Sequence, residues 1–477
     1  MGSLWGEKPN VVLVMADDIG LGDLSFYQRE AGRKVTVETP NLDRMIAEGM
    51  RFTDAHAPAS LCAPTRFSML TGNWSYRNYE PFGVWNPSKD SGIDPKFTTI
   101  ARIAKAGGYT TGFFGKWGLG SSTFPPEEGF EKLKEGALSF GFDYGLELPQ
   151  GIQDEPYAFY ENREWLKLEE DSKIRPVGPI QNGYHVGQAD KHRERGGKGD
   201  SNWDPTLAGP ILAERAGDFI RENAGKPFFI YYCSQAVHIP HTPPEELDGV
   251  KVAGATASIH GDMIVELDVQ MGLLRKALEK AGVYERTLFV FTSDNGGLML
   301  DKKMKAAGHV TSNGLAGAKG SIFEGGHRVP FLAVWPGVIE AGSVSEEPVV
   351  GHDMVATVAA LAGQELDKEK VKDSMNLVPV FRGEDVKERH TVLMHQAMRG
   401  WKESDYALRE GPWKLILRGK RPFKPEDVEP FALFNLEENL GEKKAGNLVA
   451  LPEYQERVAA MTKRYAELRK SGEATVN

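Results

Sequence analysis

Only two cysteines, Cys62 and Cys233, occur in 477 residues, too few and too far apart for a disulfide framework. No run of about 18 apolar residues is present, so no transmembrane helix is expected. Basic residues are outnumbered, 57 Lys and Arg against 67 Asp and Glu. The formal net charge is −10, which argues against nucleic acid as the main partner. A cationic pocket for a small anion can still sit in an acidic protein. The start, MGSLWGEKPN, has neither a basic nor an apolar signal region. The chain is therefore either cytoplasmic or lacks a leader replaced by Met-Gly-Ser; in the second case it is periplasmic or secreted. No internal repeat is evident.

What remains is an ordinary globular composition, 40 % apolar and 26 % charged, long enough for a sizeable core. Several short apolar runs have the character of buried parallel strands. NVVLVMADDIG is apolar from Val11 to Met15, then meets Asp17 and Asp18. TLFVFTSDNGG leads to Asp294 and Asn295, PFFIYYCSQAVHIP to His238, and YTTGFFGKWGLG to Lys116. Between them lie helical patterns. VELDVQMGLLRKALEKAG sets Leu267, Met271, Leu274 and Leu278 on one face and stops at Gly282. The alternation predicts an α/β fold: a doubly wound, largely parallel sheet with helices on both faces.

Ligands of such sheets bind beyond the carboxyl ends of the strands. A single Asp there is as often a turn or helix-cap residue. Four strands ending in Asp, Asn, His and Lys together point to a site. Asp17, Asp18, Asp294 and Asn295 offer oxygen ligands only, which suits Ca²⁺ or Mg²⁺ rather than zinc.

The segment LCAPTRFSMLTG, residues 61–72, has the signals of a helix start at Ala63-Pro64-Thr65 and a stop at Gly72. Cys62 thus sits at a helix N-terminus, where backbone N–H groups favour an anion. Arg66, one turn on, adds charge-assisted hydrogen bonds suited to a tetrahedral oxyanion. Cys233 lies in an apolar run and reads as core.

Cys62-Ala63-Pro64-Thr65-Arg66, followed by Leu70-Thr71-Gly72, resembles the signature of type I sulfatases, members of the alkaline phosphatase-like superfamily. The resemblance extends in order through MADDIG, GYTTGFFGKWGLG, HIPHTP, FTSDNGG, GAKGSIFEGGHRVP, and GPWKLIL with FALFNLEENLGEKKAGNL. It implies that Cys62 is oxidised to Cα-formylglycine by a maturation enzyme that reads Cys62, Pro64 and Arg66. It implies a divalent metal, Ca²⁺ with Mg²⁺ as the alternative, held by Asp17, Asp18, Asp294, Asn295 and an oxygen of modified residue 62. Hydrated formylglycine would attack the sulfur of a sulfated carbohydrate or small sulfate ester. Asp294 could take the attacking hydroxyl's proton, Lys116 and Lys319 would bind sulfate oxygens, and Arg66 would orient the gem-diol. Lys319 or His238 would protonate the leaving oxygen. His241 competes with His238 within HIPHTP, but the H-x-P pattern favours His238.

Two departures stand out. Gly118 occupies the position of a family histidine that assists sulfate release, with His56, His309 and His327 as candidates to compensate. Ala316 stands where many relatives carry Arg. The runner-up reading is a phosphodiester or phosphonate monoester hydrolase of the same superfamily. The non-enzymatic alternative is a catalytically impaired protein that binds sulfated glycans.

Residues 121–206 lack periodicity and read as long loops over the site mouth. Tyr157, Tyr160, Trp165, Tyr184 and Trp203 there could stack on sugars, or be core. After about residue 375 short strands alternate, and a last helix puts Tyr454, Val458, Met461, Tyr465 and Leu468 on one face. The expected division is a catalytic domain over 1–374 and, over 375–477, a smaller α+β subdomain with an antiparallel sheet and a packed helix.

Overall fold

The computed structural model describes residues 8–77, 85, 91–94, 96–120, 129–177, 197–299, 301–400 and 402–477. Five neighbouring parallel strands form its centre. Their order is Thr287–Ser293, Asn10–Ala16, Phe228–Cys233, Thr110–Lys116 and Tyr144–Ile152. Alternate residues of each strand enter different cores. Val11, Leu13 and Met15 pack with the helices Cys62–Thr71, Ile100–Ala106 and Met354–Ala362 on one face. Val12, Val14 and Ala16 pack with Pro40–Glu48, Ala208–Asn223 and Ile259–Lys280 on the other. Burial on both faces is why these strands read as continuous apolar runs rather than alternating ones. Leu267, Met271, Leu274 and Leu278 are all buried, as their spacing predicts, and Gly282 follows with a positive φ of 68°.

The sheet has ten strands, and its edges turn antiparallel. Phe331–Val334 runs against Thr287–Ser293 on one side. On the other, Phe159–Glu161 and Glu164–Leu166 extend the sheet beyond Tyr144–Ile152. The region expected to be long loops therefore contributes three strands to the main sheet, plus a ribbon of Ile174–Val177 with Gly197–Asp200. These strands are short, and Pro and Gly interrupt them, so no period of two develops. Tyr157, Tyr160 and Trp203 are buried in apolar clusters, and Trp165 donates to Asp200. Tyr157, Tyr160 and Trp203 are structural rather than sugar-facing, whereas Trp165 is half-buried. Tyr184 lies outside the described residues.

A meander of four antiparallel strands, Leu393–Met398, Glu403–Glu410, Trp413–Lys420 and Glu429–Asn435, forms the second sheet. The helix Gln455–Ser471 docks on it through Val458, Met461, Tyr465 and Leu468, with Tyr454 partly buried at its start. Met375, Leu377, Val380 and Phe381 belong to the core of the large sheet.

One buried acid makes the fold pH-sensitive. Glu147, on Tyr144–Ile152, is fully buried; burial pushes its carboxyl up to about 8, although Ala137 N–H and Arg163 oppose the shift. The unfolded chain releases this proton near pH 4.5, whereas the native state keeps it to about pH 8. Stability from this group is therefore complete below pH 4.5, falls as pH rises towards 8, and levels off above. The loss reaches about 3 kcal/mol at pH 7. Glu147→Gln should remove this slope. Melting curves of variant and parent, compared at pH 5 and pH 8, should diverge in the variant's favour at pH 8.

Candidate active site

Strand register builds the site. Ala16 pairs with Ser293, Met15 with Cys233, and Cys233 with Gly115, so four strands end at one level. Gly115 is required for this close approach: a Cβ there would lie 1.9 Å from Cys233 O. Beyond the ends the chains bind one another, Asp294 N–H donating to Ala16 O at 3.0 Å and Asp17 N–H to Ala236 O at 3.0 Å. Asp18 turns through the left-handed region with φ 69°, a conformation that costs a non-glycine residue about 1 kcal/mol or more.

Into this crevice runs the helix Cys62–Thr71. Leu61 precedes it in extended conformation, and Gly72 ends it with φ 71°. Both boundaries match the sequence signals. Cys62 is its first residue, and Arg66, only 1 % exposed, lies one turn in. Arg66 donates to Asp294 Oδ2 at 2.9 Å, to Asp17 Oδ2 at 3.3 Å and to Lys116 O at 2.7 Å. Lys116 Nζ lies 2.6 Å from Asp17 Oδ2. Lys319 Nζ reaches both oxygens of Asp18, at 2.6 and 2.7 Å. Asn295 Nδ2 donates to Asp18 Oδ1 at 2.8 Å, and His238 Nε2 is 3.9 Å from Asp18 Oδ2. The Lys319 loop is tied to both neighbours. Lys319 N–H donates to Gly297 O at 3.0 Å and Gly320 N–H to Ser60 O at 2.8 Å.

Thus three buried carboxylates meet two buried cations, Arg66 and Lys116, and the half-buried Lys319. Burial disfavours the charge of Asp17, but Lys116, His238, Arg66 and Lys319 outweigh it and hold its carboxyl well below the usual range. Burial, with Asp17 and Asp18 alongside, pushes Asp294 up to about 7. Lys319 is held above the ordinary lysine value because Asp18 and Cys62 outweigh its desolvation. Burial is the main cause of the rise at Asp294, and the two neighbouring carboxylates add to it. Asp17 Oδ1 and Asn295 Oδ1 are, moreover, buried without hydrogen-bond partners. Orphaned buried acceptors are rare, and oxygen lone pairs are what a hard cation takes. The donor set fits Ca²⁺ or Mg²⁺.

Gly118 has φ 70°, and a Cβ there would lie 3.0 Å from Arg66 Cδ. Arg66, rather than a histidine, fills that space. The three candidate histidines are engaged elsewhere: His309 with Asp23 and Thr36, His56 with Asp54 and His327, and His327 also with Lys414. Cys233 is core, as expected, but a cation is not far away: Arg66 acts on its thiol, which burial nonetheless pushes up to about 12. His241 is buried, stacks on His260 at 5.1 Å and is pushed down to about 3 by burial and that neighbour.

The sequence profile of the sulfatase family matches residues 9–364. The chain belongs to the sulfatase family. It is 28 % identical to N-acetylgalactosamine-6-O-sulfatase of Bacteroides thetaiotaomicron, over 86 % of this chain and 82 % of that one. It is 32 % identical to bovine (Bos taurus) arylsulfatase A, over 86 % and 74 % of the two chains. Among solved structures, a B. thetaiotaomicron sulfatase from the metabolism of multiple glycosaminoglycans superposes with a TM-score of 0.80 at 26 % identity, covering 97 % of this sulfatase and all of that chain. The phosphonate monoester hydrolase of Agrobacterium radiobacter shares the fold, with a TM-score of 0.61 at 19 % identity.

Two features of this sulfatase were invisible in sequence. One is the cluster of Asp23, His309 and Thr311 behind the first aspartate segment, held by hydrogen bonds of 2.7 Å. The other is a buried ion network joining Glu324 to Lys414. Both unite residues about 90 or more positions apart, and no local motif marks either.

Proposed function

We propose that this sulfatase removes sulfate from a sulfated carbohydrate or small sulfate ester, using formylglycine generated from Cys62 by a maturation enzyme. The observation that supports it best is the convergence of Cys62, Arg66, Lys116 and Lys319 on the Asp17–Asp18–Asp294–Asn295 cluster. In this reading residues 1–374 form the catalytic domain, with Met375–Phe381 packed into its core, and the rest of 375–477 forms the smaller subdomain. Processing of a leader would place the protein in the periplasm or outside the cell.

Asp17, Asp18, Asp294, Asn295 and an oxygen of residue 62 would hold the cation, Ca²⁺ with Mg²⁺ as the alternative. When bound, it supplies Lewis-acid polarisation of the sulfate. Hydrated formylglycine at 62 offers the attacking hydroxyl, oriented by Arg66. Asp294 accepts that hydroxyl's proton. Lys116 and Lys319 neutralise sulfate oxygens as charge moves onto them. Lys319 or His238 gives a proton to the leaving oxygen. Release then requires loss of a proton from the second hydroxyl. Arg66, which lies beside Gly118, would stabilise that oxygen while its proton passes to water.

The test is a substrate panel. Matured protein is assayed on an aryl sulfate, an aryl phosphate and sulfated saccharides, before and after chelation, with Ca²⁺ or Mg²⁺ restored. Sulfate release that is lost on chelation and better restored by Ca²⁺ is the expected result. Faster turnover of the aryl phosphate would instead favour the phosphohydrolase chemistry of the Agrobacterium fold relative.

A further inference from the structure

The loop that carries Lys319 continues into the short helix Glu324–His327, and this helix is gripped by the second sheet. Lys414, on Trp413–Lys420, is 1 % exposed. Its Nζ lies 2.8 Å from Glu324 Oε1 and 2.8 Å from Glu442 Oε1. Glu442 in turn accepts from Glu324 N–H at 2.5 Å, and Arg328 closes on Glu324 Oε2 at 2.7 Å. Burial disfavours the charge of Glu324, but Lys414 and Arg328 outweigh it and hold the carboxyl well below the ordinary range. The carboxylate is thus ionised in a dry site and needs its partners.

Lys414 also reaches His327 Nε2, at 3.1 Å. The same nitrogen lies 3.2 Å from Ile322 O, so the ring is held by Lys414 and by the backbone together. His327 Nδ1 lies 3.0 Å from His56 Nδ1, and His56 Nε2 lies 2.8 Å from Asp54 Oδ1 and 3.3 Å from the Arg409 guanidinium. Although His56, His327 and His395 converge as metal ligands would, both ring nitrogens of His56 and of His327 already have protein partners. The rings of His327 and His395 also stack at 3.8 Å, so the two cannot both aim in-plane lone pairs at one centre. The cluster is a fastening. It reaches His56, six residues before Cys62, and Glu324, five residues after Lys319.

We propose that Lys414 is a positioning residue: from the second sheet it fixes the Glu324–His327 helix and so the place of Lys319 in the sulfate pocket. The backbone carries the effect. Gly325 N–H is held by Ala316 O at 2.7 Å and Gly296 N–H by Gly326 O at 2.9 Å, so both ends of the 316–326 loop are anchored on either side of Lys319. Ala316 offers this loop no side-chain cation of its own. The inference rests on the proposed sulfatase chemistry in assigning Lys319 both to sulfate and to protonation of the leaving oxygen.

Two measurements on Lys414→Met test it. In hydrogen exchange, peptides spanning 316–328 should exchange roughly tenfold faster or more than in the parent, while the strand Asn10–Ala16 stays protected. On aryl sulfates, kcat should fall roughly 10- to 100-fold, and more steeply for poor leaving groups than for good ones. A uniform loss of folded protein would not produce that leaving-group dependence. Glu442→Gln keeps the Lys414–Glu324 pair and should show the same pattern at smaller size, should Lys414→Met fail to fold. Unchanged loop exchange in either folded variant overturns the proposal, as does a loss independent of the leaving group. If the parent turns over no sulfate ester, the functional reading fails, and the exchange comparison alone decides whether Lys414 holds the Lys319 loop.

Discussion

Replacing Cys62 with serine is expected to give one turnover and then stop. Both residues can present a hydroxyl or its precursor at the helix start, beside Arg66 and the aspartates. They differ once attack has occurred. A hydrated aldehyde carries a second hydroxyl on the same carbon, and losing its proton pushes sulfate out and restores the carbonyl. Serine has no second hydroxyl, so its sulfate ester can leave only by slow attack of water. Cys62→Ser should therefore release leaving alcohol in a burst no larger than one equivalent per chain. Mass spectrometry should find sulfate on residue 62. Cys62→Ala should lose the burst too, with kcat down by on the order of 10³ or more. Because Cys62 is small and buried at a helix end, both variants should melt within about 1 kcal/mol of the parent. Steady-state sulfate release by Cys62→Ala would remove residue 62 from the mechanism.

The parts of the site that could be read from sequence are those in which local rules and chemistry coincide. Asp17, Asp294 and Lys116 each end an apolar run, and parallel register alone brings such ends to one level. Pro64 and Gly72 bracket the helix of Cys62 by backbone preferences that need no tertiary context. The C-terminal helix face was legible for the same reason: a period of 3.6 with Val458, Met461, Tyr465 and Leu468 on one side. Where contacts are long-range and polar, sequence is silent. Lys414 reads as an ordinary strand lysine until Glu324, 90 positions earlier, is seen 2.8 Å away. Gly118 reads as a missing histidine until the Arg66 side chain is found against it. Tyr157 and Trp203 read equally as platform or core, and burial by the added strands decides for core.

Arg66→Met should harm both fold and chemistry, and in a way that a cation partly reverses. Arg66 is the only residue in the described site that touches Asp17, Asp294 and the backbone of Lys116 at once. Removing it leaves Asp294 paired with no other cation within hydrogen-bond distance among the described residues, and takes one of two cations from Asp17. Loss of one partner from a buried charged pair costs about 3–5 kcal/mol. The unfolding midpoint in denaturant should fall by the corresponding amount. Arg66→Lys should not restore it, since an ammonium cannot fork across two carboxylates and a carbonyl. Activity should vanish in both, because the hydroxyl of residue 62 loses its orienting donor. The orphaned oxygens of Asp17 and Asn295 make the further outcome specific. With Arg66 gone, a divalent cation meets a more negative set of oxygens, so added Ca²⁺ should stabilise Arg66→Met more than it stabilises the parent. Equal stabilisation of the two proteins would mean that the cation and Arg66 do not share Asp17 and Asp294, and the assignment of those oxygens as ligands would fall.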